Sequence, residues 1–66
     1  MNITLNGKPH QLGQERNVAD LIRALGFEGK RIAVERNGDI VPKSQHEQVE
    51  LEENDVLEIV VAVGGG

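Results

Sequence analysis

At 66 residues, 38% of them apolar and with a formal net charge of −4, the chain reads as one small domain that can bury a core but not a deep enzyme pocket of its own. Zero cysteines exclude a disulfide scaffold, thiolate metal sites and a cysteine nucleophile, and no apolar run approaches the roughly 20 residues that span a bilayer. One Phe without Trp or Tyr offers no stacking platform, and the acid excess repels phosphate, so neither nucleic acid nor membrane is an expected partner.

Asn2-Ile3-Thr4-Leu5 alternates polar and apolar and predicts a strand with Ile3 and Leu5 on the core face. Asn6-Gly7 is a hairpin signal, because both central residues of a type I′ turn need positive φ. The return strand runs from Lys8 to Leu12, at a sheet edge because Pro9 cannot donate to a ladder. His10 has no metal-ligating residue at suitable spacing and is a half-buried edge-strand histidine rather than a base. Val18, Leu21, Ile22 and Leu25 then recur at helical spacing. The helix is about nine residues long, with Asn17 as N-cap, Asp20 reaching back to the cap amide or favouring the positive helix end, and Gly26 as the left-handed residue behind it. Phe27 folds back as a core plug.

Lys30 to Glu35 predicts a third strand with Ile32 and Val34 inward, and Asn37-Gly38 a second hairpin leading to Asp39–Val41 and Pro42. Lys43 to Gln48 is a polar turn or a single 3₁₀ turn, with Ser44 and His46 on the surface. Val49 and Leu51 return to the core, Glu52 to Asp55 form a turn, and the last strand begins at Val56. Its face Leu57, Ile59, Val61, Val63 belongs to the core. The other face, Val56, Glu58, Val60, Ala62, is less polar than a solvent face should be, which fits either a docking surface or a Val-rich central strand.

That strand runs into Gly64-Gly65-Gly66. Three glycines add nothing to folding, since each loses more backbone entropy on ordering than any other residue. Composition alone leaves the tail open between an idle terminus or scar and a segment that lies extended in a slot too narrow for side chains, presenting a carboxylate at Gly66. Elsewhere no phosphate loop, metal spacing, calcium loop, nucleophile triad or paired carboxylate stands out. Residues 1–33 carry five basic and three acidic groups, and residues 34–66 two and eight, so the half that holds the last strand favours a basic protein partner. The start of the chain shows no basic region followed by an apolar stretch, and a cytoplasmic location is expected.

The order strand, strand, helix, strand, short strand, strand predicts an α+β fold, the β-grasp (ubiquitin-like) arrangement of a mixed four- to five-stranded sheet packed on one helix. A single domain over 1–66 with 64–66 as a flexible reactive tail is expected. Leu5-Asn6-Gly7-Lys8, the stretch from Val34 to Pro42, and Asp55-Val56-Leu57-Glu58-Ile59 leading to Val63-Gly64-Gly65-Gly66 together resemble the ThiS proteins, ubiquitin-like sulfur carriers of bacterial thiamine biosynthesis. The resemblance implies a carrier and co-substrate rather than an enzyme, with no bound cofactor. An E1-like adenylating enzyme (ThiF-like) using ATP and magnesium would convert the Gly66 carboxylate to an acyl-adenylate. A cysteine-desulfurase relay would then supply sulfur, leaving a thiocarboxylate that a thiazole synthase (ThiG-like) consumes. Gly65 would fit the partner's slot, with Gly64 a less fixed position, and Val60, Ala62 and Glu58 would touch the partner. The same fold and tail admit a molybdopterin synthase small subunit, although those proteins are usually longer and approach their glycines differently from this Val-Ala-Val. They also admit a ubiquitin-like protein modifier or an inert β-grasp interaction module.

Overall fold

The computed structural model describes residues 1–62, and its sheet is built from two tight turns. Asn6 and Gly7 take φ of 52° and 81°, and Asn37 and Gly38 take 53° and 89°, so each turn has two left-handed central residues, as a type I′ hairpin requires. The first turn joins β1 (Asn2–Leu5) to β2 (Lys8–Gln11), and the second joins β3 (Ile32–Arg36) to β4 (Asp39–Ile40), both pairs antiparallel. β5 (Val56–Val61) enters between the hairpins, parallel to β1 and antiparallel to β3, giving the order β2-β1-β5-β3-β4. Pro9 sits on the edge strand, where its missing N–H costs no ladder bond. Leu12 lies one residue beyond β2 but is still buried, its amide donating to the Met1 carbonyl at 2.9 Å.

Helix α1 (Val18–Ala24) is seven residues long, and the two expected end residues, Asn17 and Leu25, serve as its caps. Asn17 has extended backbone (φ −133°, ψ 176°), and its side chain accepts from the Asp20 amide at 2.8 Å. The Asp20 carboxylate accepts from the Arg16 amide at 3.0 Å and from Arg23 at 2.9 Å, and the Asn17 cap amide also acts on it. The Arg16 amide and then the Arg23 guanidinium hold the Asp20 carboxyl below its ordinary value. Residues 46–49 complete the helix start: the amides of Val18 and Ala19 donate to the carbonyls of Val49 and His46 at 3.1 and 2.8 Å. The first helical turn therefore leaves no amide orphaned, because loop, cap residue and cap carbonyl take all four. At the other end Gly26 (φ 78°) donates to the Arg23 carbonyl, and Phe27 to that of Ile22, each at 3.0 Å. This is a Schellman closure that turns Phe27 back onto the core edge.

The helix buries Val18, Leu21 and Ile22 against Ile3, Val34, Leu57 and Ile59 of the sheet, with Leu12, Val41 and Leu51 closing the sides. The polar segment contains the expected 3₁₀ turn (Lys43–Gln45). His46 is not a surface residue: it is half-buried, its Nε2 3.2 Å from the Val41 carbonyl, because its own carbonyl is drawn in to cap the helix.

One charged side chain is buried with the core. Asp55, 5% exposed, bonds the Nε of Arg36 at 2.8 Å and also accepts from the Glu52 amide and the Asn37 side-chain amide, at 2.8 and 3.1 Å. Burial by itself pushes this carboxyl up. The Arg36 guanidinium and the two amides outweigh burial and hold it below its ordinary value of 3.8. A depressed folded-state pKa contributes stability that is present above the unfolded-state value and disappears as pH falls through the lower folded-state value. Unfolding free energy is therefore expected to decline below about pH 4. Replacement of Asp55 by Asn, measured by urea unfolding across a pH series, should lower stability at pH 7 by roughly 3 kcal/mol by leaving Arg36 uncompensated, and should flatten the acid limb. An acid limb as steep as that of the parent chain would show that this carboxylate does not control it.

Candidate functional site

The expected reacting and threading residues, Gly66, Gly65 and Gly64, lie with Val63 outside the described residues. What the structure defines is the strand that leads to them and how firmly it is held. Along β5, Leu57 and Ile59 are buried while Val56, Glu58 and Val60 are exposed; Ala62 is exposed beyond the strand, and Val61 is half-buried opposite Ile32. Glu58 and Val60, read from the sequence as docking residues, share the face turned away from the helix, and Ala62 follows them in the same alternation.

β5 is fastened along both edges. Towards β3 the pairing runs from Arg36↔Leu57 to Ile32↔Val61, flanked by a bond from the Asn37 amide to the Val56 carbonyl (2.7 Å) and one from the Ala62 amide to the Arg31 carbonyl (2.8 Å). Towards β1 the Thr4 and Asn6 amides donate to the carbonyls of Asp55 and Leu57 at 2.8 and 2.9 Å, after which β1 turns away. The Asn6 side chain then takes the place of the missing strand residue. Its Oδ1 accepts from the Ile59 amide at 2.8 Å, and its Nδ2 donates to the Ile59 carbonyl at 3.2 Å. At the start of the strand Asn37 does similar work, its Oδ1 accepting from the Val56 amide at 2.9 Å while its Nδ2 donates to Asp55. The last described residues are thus a firmly held strand end.

On the helix side a groove of about 330 Å³ has Phe27, Ile22 and Ile32 in its wall and Arg23, Lys30 and Lys43 around it. Glu28 and Glu47 also line this groove, and Arg23 is paired with Asp20 and Glu28, so its charges are mixed. Among the described residues no three metal-ligating side chains converge, and no helix is long and apolar enough to cross a membrane.

Sequence reasoning read Asn6 and Asn37 only as turn residues and Asp55 only as part of a polar turn. A signal for Asp55 was present. It continues the alternation of Leu57 and Ile59 inward, as Arg36 continues that of Ile32 and Val34, so the two opposite charges arrive on one face at adjoining strand ends.

The model of the ThiS family matches residues 3–66 of this chain. Over 65 residues the chain is 40% identical to the sulfur carrier protein ThiS of Bacillus subtilis strain 168, covering 97% of this chain and 98% of that protein. A thiazole synthase of Paramagnetospirillum magneticum is 41% identical over all 66 residues, which span 20% of that protein's length; one from Magnetococcus marinus is 39% identical over the same share. The crystal structure of a thiamine biosynthesis protein (ThiS) from Geobacter metallireducens superposes with a TM-score of 0.83 at 30% identity, covering both chains fully. The fold shared with that structure is the mixed five-stranded sheet with one helix described above.

The Asn6 clamp is directly testable. Replacing Asn6 with Gly keeps the left-handed backbone but deletes both bonds to Ile59, and should cost about 1–3 kcal/mol. Amide exchange measured by NMR should accelerate at Ile59 more than at Leu57, which keeps its backbone partners. Equal acceleration at both sites would assign the loss to general destabilisation instead.

Proposed function

The chain belongs to the ThiS family of sulfur carriers in thiamine biosynthesis, and on that premise we propose that its Gly66 carboxylate is the group on which sulfur is carried. The observation that carries the proposal is the placement of β5: a central strand, fastened to β3 through Ala62 and on its other edge as far as Ile59, is followed in sequence by Val63-Gly64-Gly65-Gly66. A fixed strand followed by glycines delivers a chain end to a partner's active site with its direction set, and fixed geometry there replaces a bimolecular encounter. Gly65, and less stringently Gly64, pass through a slot that a Cβ would block.

A carboxylate is a poor electrophile until one oxygen becomes part of a leaving group. In the proposed sequence the Gly66 carboxylate attacks the α-phosphorus of ATP in an E1-like adenylating partner with its magnesium, releasing pyrophosphate and forming an acyl-adenylate. A persulfide from a cysteine-desulfurase relay attacks the acyl carbon and displaces AMP, and a thiol then reduces the resulting acyl disulfide, freeing the thiocarboxylate and forming a disulfide with the donor. Thiazole synthase then takes the sulfur. The two relatives named thiazole synthase support that partner, because each contains a stretch homologous to this whole chain. The chain itself contributes position and the reacting terminal carboxylate, and no cofactor. A cytoplasmic setting, where ATP and reduced sulfur donors are available, belongs to the same proposal.

Intact-mass measurement after incubation with the adenylating partner, ATP and a sulfur source tests this. A sulfur-for-oxygen exchange confined to the C-terminal peptide is expected. Gly65→Val should abolish the exchange while leaving thermal unfolding unchanged, and undiminished exchange in that variant would defeat the proposal.

A further inference from the structure

Both hairpins turn on an asparagine followed by a glycine, Asn6-Gly7 and Asn37-Gly38, and that dipeptide is chemically among the least durable in any chain. The glycine nitrogen attacks the asparagine Cγ, the C–N bond of the side-chain amide breaks, ammonia leaves, and a five-membered succinimide closes. Water then opens one of the two ring carbonyls, giving aspartate or, with the main chain rerouted through Cβ, isoaspartate. Each conversion consumes one water and releases one ammonia. Glycine favours it because no Cβ obstructs the attack and the backbone turns freely.

The fold opposes ring closure at both positions in the same two ways. Closure needs the glycine nitrogen nearly eclipsed with the asparagine Cβ, whereas the first central residue of a type I′ turn has ψ of about 30°, which sets the nitrogen nearly opposite Cβ. Each side-chain amide is also tied through both its atoms. Asn6 holds the Ile59 amide and carbonyl at 2.8 and 3.2 Å, and Asn37 holds the Val56 amide at 2.9 Å and Oδ1 of Asp55 at 3.1 Å. All of these bonds end on β5 or on the residue just before it. Both asparagines are exposed, so these bonds and the turn, rather than exclusion of water, protect them.

We propose that Asn6 and Asn37 are modification sites gated by β5: each cyclises onto its glycine when that strand leaves the sheet, and the product hinders the strand's return. At position 37 the new carboxylate oxygen takes the place of Nδ2, 3.1 Å from Oδ1 of Asp55, so carboxylate meets carboxylate. At position 6 it faces the Ile59 carbonyl at 3.2 Å, acceptor against acceptor. Isoaspartate adds a main-chain atom to a tight turn and shifts the hairpin register besides. Opening of β5 is thereby recorded covalently, and a chain that opens often is withdrawn from the folded population, whatever group Gly66 carries.

The full-length chain, aged in mildly alkaline heavy-oxygen water with and without guanidinium chloride, tests this by peptide-resolved mass spectrometry, which reads label uptake at each site. Both sites should convert at least about tenfold more slowly in the folded chain than in the unfolded one. Ile59→Val thins the core under β5 without touching either dipeptide, and should speed conversion at both sites about threefold while the chain remains folded by circular dichroism. Asn37→Asp, the lasting product, should lower the folded-to-unfolded ratio at neutral pH by at least about tenfold, and Asn6→Asp by a smaller factor. Equal rates in folded and unfolded chains would overturn the proposal, as would an Ile59→Val chain that ages no faster than its parent. Aspartate variants as stable as the parent would overturn it too, since the product would then leave β5 free to return.

Discussion

β5 holds the two hairpins together. In the strand order β2-β1-β5-β3-β4 it lies between β1 and β3, and each hairpin supplies only one strand to contact it. A lone hairpin is marginal in water, so neither half of the sheet is stable until β5 closes the other side. The parallel register brings Leu5 beside Leu57 and Thr4 beside Val56, about as far apart in sequence as this chain allows. Loop-closure entropy opposes that pairing, and burial of Leu57 and Ile59 against Leu21, Val18 and Val34 offsets it.

The devices that fasten β5 are polar. Asp55 with Arg36 and Asn37 anchors its beginning, and Asn6 continues its pairing where β1 turns away. A buried carboxylate is costly unless fully partnered, and Asp55 meets that condition through three donor groups from Arg36, Asn37 and Glu52. Its contribution is directional as well as energetic, because an ion pair with bonds on both carboxylate oxygens admits one register where an apolar contact would tolerate a slip. A slip of one residue would bring Glu58 into the core and turn Leu57 out.

Much of this was legible in the sequence because it depends on local rules. Two Asn-Gly pairs, Pro9, the spacing of Val18, Leu21, Ile22 and Leu25, and the alternation from Leu57 to Ile59 each specify backbone or face within a few residues, and the structure follows them. The glycine tail and the stretch from Val34 to Pro42 pointed to the ThiS family, to which the chain belongs. What escaped depends on distant partners. The Asn6 side chain meets Ile59 across 53 positions, and the helix start is capped by carbonyls of His46 and Val49, which no periodicity in either segment announces. The Asn37 clamp escaped for the same reason: it looks like an ordinary turn residue in its own hairpin, and only the register brings Val56 and Asp55 to it.

The asparagine clamps and the tail all hang on one strand, which gives the domain a simple dependence. The unfolded chain still has its glycines, but the clamps exist only when β5 is in the sheet, and Ala62 is held in line with the strand by its bond to Arg31. A partner that requires the tail to follow from a held strand would therefore select folded carriers over free glycine-ended peptides. Discrimination would come from the strand and chemistry from the tail, and residues 56–62 would act as the physical link between them.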